Sequence, residues 1–138
     1  MQRVISSFIA GACFLASTCA QAKGSFGSSF GTPELLPPEQ AFVVSQPEAD
    51  VIVITIAEGT YLYDERTMVQ NDSGDILKTQ RSESTIYDDP LFGPTPIHKK
   101  ALRMKVSDAP NLMVLTYQGC ADIGFCYPPQ QTELSFSR

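Results

Sequence analysis

The chain has 138 residues, a formal net charge of −5 and a pI near 4.7, with 43% hydrophobic and 18% charged residues. That length fits one domain, and the apolar content suffices for a packed core where a disordered chain would carry more charge. Ten Lys and Arg, scattered among fifteen Asp and Glu, argue against nucleic-acid binding, which needs clustered cations to neutralise phosphates.

The first residues read as a targeting segment. One positive charge lies within Met1–Arg3, an uncharged run of small and apolar residues follows from Val4 to Leu15, and Ala20-Gln21-Ala22 offers a small-x-small cleavage pattern. This is the layout of a secretory signal peptide over residues 1–22. The apolar run falls short of the ~20 residues a membrane-spanning helix needs. A lipid-modified Cys19 is the lesser reading, because Ala16-Ser17-Thr18 lacks the large aliphatic and the small Gly or Ala such a site wants. Cleavage after Ala22 removes Cys13 and Cys19 and leaves Cys120 and Cys126. The mature chain is then expected in an oxidising compartment, where a disulfide persists.

Residues 23–33, rich in Gly and Ser, read as a flexible leader to one domain over 34–138. Glu34–Phe42 contains Pro37-Pro38 and predicts an extended entry segment. Val51–Ala57 is a dense β-branched run and the strongest strand signal, apolar enough to be covered on both faces. Glu58-Gly59 marks a turn, Thr60–Tyr63 resumes as a strand, and Asn71–Gly74 is a second turn. Lys78–Thr85 is polar and reads as a surface loop, and the proline-rich Asp88–Pro96 as irregular or an edge. Ile97–Val106 alternates, Ala109-Pro110-Asn111 turns, Leu112–Gln118 is a strand, and Thr132–Phe136 closes the chain. No segment shows a long 3.6-residue stripe. Short strands at short intervals predict an all-β sandwich or barrel.

The chemistry-bearing feature is Gln118–Pro129, QGCADIGFCYPP. If the flanking strands pair, Cys120 and Cys126 face each other across a hairpin-like loop. Their bridge would close a ring of about seven residues and stabilise by roughly 2 kcal/mol, little for a disulfide whose purpose is stapling. By residue types and spacing alone, a structural hairpin disulfide and an exchange-active pair stand about even. Gly119 and Gly124, which permit close approach by another backbone, and the aromatics Tyr117, Phe125 and Tyr127 favour the redox reading. Two cysteines and one histidine do not make a four-ligand zinc site, and thiol exchange needs no cofactor.

The run YQGCADIGFCYPP resembles the signature of the periplasmic N-terminal domain of the thiol:disulfide interchange protein DsbD. LLPPEQAF at Leu35–Phe42 and EGTYLYDE at Glu58–Glu65 are similar to that domain's opening segment and its Tyr-Leu-Tyr strand. STIYDDPL at Ser84–Leu91 matches more loosely. The resemblance implies an immunoglobulin-like β-sandwich with a redox-active insertion. It implies a shuttle taking electrons from a thioredoxin-like donor and passing them to periplasmic isomerases such as DsbC and DsbG. By the same resemblance Cys126 forms the mixed disulfides, Cys120 resolves them, and Tyr61 and Tyr63 line the active site; Phe125 and Tyr127, which flank the cysteines in sequence, are expected to line it too.

Two departures stand out. The family carries a cap loop with an acidic pair and an aromatic over the disulfide. Counted back from Ile86-Tyr87, that loop falls on Lys78–Arg81, which has neither, leaving Phe92 as a substitute shield. The family protein also continues into a membrane domain and a thioredoxin-like domain. This chain stops at Arg138, as a free-standing version or a truncated product would, so the expected donor is a separate protein. Among other residues, His98 beside Lys99 and Lys100 reads as a solvated strand position, and Asp88-Asp89 as a turn. Asp122 reads as a loop carboxylate that would disfavour a nearby thiolate. The competing class is a non-enzymatic immunoglobulin-like binding module whose disulfide is structural, and a reduction potential below about −300 mV would mark it.

Overall fold

The computed structural model describes residues 35–136. The signal peptide and the leader expected over 1–33 lie outside them. Pro37-Pro38 does not simply extend the chain. Pro38, with its φ already helical and no N–H to lose, starts a single helical turn, α1 (Pro38–Ala41), which runs into the strand β1 (Phe42–Glu48).

Eleven more strands follow. They are β2 (Val51–Ile56), β3 (Thr60–Tyr63), β4 (Met68–Gln70), β5 (Thr79–Arg81), β6 (Thr85–Asp89) and β7 (Gly93–His98). Then come β8 (Ala101–Val106), β9 (Leu112–Tyr117), β10 (Gly119–Ala121), β11 (Phe125–Cys126) and β12 (Gln130–Ser135). They form three antiparallel sheets, ordered β1-β2-β8-β5, β11-β10-β3-β7-β6 and β12-β9-β4. The result is the all-β, immunoglobulin-like sandwich expected, with the cysteines on a short hairpin. Among the described residues no helix is long and apolar enough to cross a membrane.

Period-2 alternation places the core. In β8, Leu102, Met104 and Val106 are buried while Ala101, Arg103 and Lys105 are exposed. In β9, Met113, Leu115 and Tyr117 point inward. These side chains meet Ile52, Ile54 and Ile56 of β2, so one core joins residues from all three sheets. β2 alternates from Ile52 to Ile56, with Thr55 exposed and Val53 half-buried; on its outer face only Val51 is buried, so that face is not covered along its length as its apolarity suggested.

Three segments differ from expectation. The polar stretch Lys78–Thr85 is not all loop, because β5 pairs with the edge of β8 through Thr79↔Val106 to Arg81↔Met104. An edge strand needs only one apolar neighbour, so its sequence carries little strand signal. The alternating run Ile97–Val106 is two strands in different sheets, broken at Lys99-Lys100, where Lys100 takes a φ of 72°. Pro94 and Pro96 lie inside β7. They are tolerated because β3 reaches only Ile97 and His98, leaving the proline half of β7 paired with β6 alone.

Candidate active site

The hairpin of β10 and β11 places Cys120 directly opposite Cys126, and the two are bridged at 2.11 Å. β10 also pairs with β3, with Cys120 beside Tyr61 and Gly119 beside Leu62. Alternation along β3 then sorts the side chains. Leu62 enters the main core, while Tyr61 and Tyr63 turn to the opposite face with Cys120. They form a second small cluster with Ile97, packed against Tyr87 and Cys126. Tyr61 and Tyr63 meet edge to face at 5.5 Å, and Tyr87 lies 5.1 Å from Tyr61.

The cysteines are not equivalent. Cys120 is fully buried, with Sγ 3.1 Å from the Tyr63 hydroxyl. Cys126 is partly exposed and lies on the wall of a cleft of about 100 Å³, together with Tyr61, Tyr87, Leu91, Asp122 and Gly124. A reagent from solvent therefore meets Cys126 first.

Asp89, only 3% exposed, sits at the end of β6. One carboxylate oxygen accepts hydrogen bonds from the hydroxyls of Tyr61 (2.8 Å) and Tyr63 (2.7 Å). The other accepts from the backbone N–H groups of Leu91 (2.8 Å) and Phe92 (3.2 Å), shaping the turn into β7. Burial alone would raise the Asp89 carboxyl. The hydrogen bonds from Tyr63, Leu91, Tyr61 and Phe92 outweigh it and hold Asp89 below the ordinary carboxylate value. Burial, then the hydrogen bonds to Asp89, pushes both tyrosines up, so they remain hydroxyl donors. The Tyr63 hydroxyl has one proton and two acceptors in reach, Asp89 and Cys120 Sγ. In the disulfide the carboxylate is the better acceptor. Were Cys120 a thiolate, Tyr63 could donate to its sulfur while Tyr61 keeps Asp89 satisfied.

This geometry corrects the placement of the cap. Lys78–Arg81 lies in the sheet of β8, and Arg81 reaches Asp64 rather than a cysteine. The residues that lie against the tyrosines are instead Asp89 and Phe92 of the β6–β7 hairpin, which we call the cap. Its Pro90–Leu91 tip forms part of the cleft at Cys126. Phe92 stacks edge to face on Tyr63 at 5.7 Å.

Other expected residues separate. Tyr127 belongs to the main core, 2% exposed, donating to the Leu36 carbonyl at 2.7 Å, and Tyr117 joins it there through Phe42. Phe125 is 42% exposed on the hairpin rim, edge-on to Tyr127 at 5.2 Å. Gly119 makes its close approach internally: a Cβ there would strike the Tyr61 carbonyl and come within 2.6 Å of the Phe42 ring. Asp122 is exposed and faces Lys99 at 3.5 Å, which offsets its charge near the cleft. His98 is not solvated. It is 2% exposed, its Nε2 is 2.7 Å from Asp64 Oδ1, and its buried Nδ1 has no partner among the described residues.

Comparison with known proteins agrees with this site. Residues 32–137 match the family model described as thiol:disulfide interchange protein DsbD, N-terminal. The chain is 36% identical over 113 residues to the DsbD of Neisseria meningitidis serogroup A, covering 75% of this chain and 19% of that protein. It is 33% identical over 114 residues to the DsbD of Salmonella typhi, covering 78% and 20%. It thus spans about a fifth of the length of these relatives. Among solved structures it is similar to the Neisseria meningitidis DsbD N-terminal domain in the reduced form, with TM-score 0.66 and 34% identity, covering 75% of this chain and 90% of that one. It is also similar to a chain from the complex between the DsbD N-terminal and PilB N-terminal domains of Neisseria meningitidis, with TM-score 0.61 and 31% identity, covering 76% and 90%. A disulfide hairpin beside a tyrosine–aspartate cluster, together with these matches, shows that the chain belongs to the family of DsbD N-terminal domains.

Proposed function

We propose that this chain is a thiol–disulfide exchange module of the periplasm, passing reducing equivalents between a thioredoxin-like donor and oxidised partner proteins. The observation that carries the reading is the asymmetry of the bridge: one sulfur buried against a hydrogen-bond donor, the other on an open cleft. A donor thiolate attacks Cys126 Sγ and the S–S bond breaks. Cys120 leaves with the electron pair, held by the Tyr63 hydroxyl until it takes a proton. The donor's second thiolate then attacks its own sulfur in the mixed disulfide and releases Cys126. The same steps in reverse reduce an oxidised partner. The solved complex of a relative with the PilB N-terminal domain supports a protein partner for this domain.

The test is a trapping experiment. Cys120→Ser removes the resolving thiol, so it should accumulate a mixed disulfide through Cys126 with a thioredoxin-fold protein, visible on non-reducing gels and by mass spectrometry. Cys126→Ser should trap little. Equal trapping by both variants would overturn the assignment of roles, and no trapping by either would favour the structural-disulfide reading.

A further inference from the structure

The β6–β7 hairpin is anchored over the cysteines at two points. The inner anchor is the Asp89 carboxylate, buried with its tyrosines. The outer one is Phe92, half-exposed, on an exposed hairpin turn. An aromatic so placed gains little from burial. Beyond its edge-to-face contact with Tyr63, its ring is held by Arg66, whose Cζ lies 4.2 Å above the Phe92 ring centroid and 5.3 Å from that of Tyr63. Arg66 is itself held, since its Nη1 donates to Gln118 Oε1 at 2.8 Å. Gln118 directly precedes Gly119 and Cys120. Its backbone carbonyl accepts from Tyr63 N–H at 3.0 Å, and its Nε2 donates to the carbonyl of Tyr127, the residue after Cys126, at 3.1 Å. One exposed guanidinium therefore connects the hairpin turn to both strands that carry the cysteines.

We propose that Arg66 is the outer latch of the cap, a positioning residue that sets how often the Pro90–Phe92 turn lifts from Cys126 and hence how readily the disulfide is reached. This rests on the exchange reading above. The inner anchor is costly to break because it would leave a buried carboxylate unpaired. The outer anchor is a cation over an exposed ring and gives way for little, so it governs opening. Once the turn lifts, the guanidinium is also free to meet an incoming partner.

The experiment measures reduction of the oxidised protein by 2-mercaptoethanol, whose attacking thiolate would be slowed, not speeded, by losing a nearby positive charge, so electrostatics alone cannot produce an increase. A 2-mercaptoethanol thiolate attacks Cys126 Sγ, the S–S bond breaks, and Cys120 takes the electron pair and a proton. A second thiolate attacks the reagent's sulfur in the mixed disulfide, freeing Cys126 and yielding the oxidised reagent dimer. Arg66→Gln should raise the second-order rate by about two- to fivefold, with Arg66→Lys in between. In a Phe92→Leu background Arg66→Gln should add nothing, because the ring it acts on is gone. A merely structural role would shift the melting temperature and act equally in both backgrounds. An unchanged rate in Arg66→Gln, or the same increase with and without Phe92, overturns the latch while leaving the exchange reading in place. A wild-type disulfide that neither 2-mercaptoethanol nor a thioredoxin-fold protein reduces overturns both.

Discussion

Gly119 shows how a single missing methyl group positions the chemistry. Cys120 meets Tyr63 because β10 lies close against β3, and β10 can lie there because residue 119 has no Cβ to strike the Tyr61 carbonyl and the Phe42 ring. The carbonyl is backbone and the ring is 1% exposed, so neither yields easily. Gly119→Ala should cost about 2 kcal/mol of stability, as overpacked sites do. It should also push the hairpin off the tyrosines. A lowered urea midpoint together with faster reduction by a small thiol is the expected pair of results, and unchanged stability would show that β10 can shift without loss. Asp89 makes the complementary point with its full set of bonds. Four hydrogen bonds converge on one carboxylate, so the charge is stable in a buried place and the two tyrosine hydroxyls are aimed at the sulfur side of the sheet.

Among the elements, the turn after β3 ties the sheets together. Arg81 at the end of β5 donates to Asp64 Oδ1 at 3.1 Å and to the Thr67 carbonyl at 2.6 Å, and His98 at the end of β7 meets the same carboxylate. Burial would raise the Asp64 carboxyl, but hydrogen bonds from His98 and Arg81, and their charges, hold it below its ordinary 3.8. A carboxyl lowered on folding contributes stability that is fully present above the unfolded value and lost as pH falls through the folded one. Wild type should therefore lose stability as pH falls below about 4, while Asp64→Asn, less stable at neutral pH by about 1–3 kcal/mol, should show a flatter acid limb. Urea midpoints across that range measure it, and parallel curves for the two proteins would show that Asp64 is not the titrating group. This cluster was hard to foresee. His98 stands next to two lysines in sequence, yet it pairs with Leu62, shares its inward face and lies within reach of a carboxylate from another segment. The β6–β7 turn was hidden for a similar reason, since Asp89 and Phe92 look like part of an ordinary proline turn until they meet the tyrosines of β3.

For the whole molecule, the proposed route begins with export. If residues 1–22 are a signal peptide, the secreted protein should start at Lys23, which an intact-mass measurement reads directly. A lipid-modified Cys19 at the N-terminus would contradict it. Cys120 and Cys126 would then be the mature chain's cysteines, and their disulfide is formed in the folded domain.

What the sequence by itself determined was local. Alternating apolar residues in β8 and β9, β-branched β2, and the turn residues between them specify strands, because a pleat sends neighbouring side chains to opposite faces wherever the strand later docks. The spacing of Cys120 and Cys126, with Gly124 at a φ of +88° between them, specifies a hairpin that can close on itself. Whatever depended on which strands become neighbours was decided only by the tertiary structure. β5 is a strand because the edge of β8 is open to it. Tyr61 and Tyr63 flank the sulfur, and Tyr127 does not, because β3 rather than the chain after Cys126 offers its outer face to Cys120. Arg66, Asp89 and Phe92 become one device only when the β6–β7 hairpin folds over β3. Such contacts join residues tens of positions apart, and no local pattern encodes a register between strands that have yet to meet.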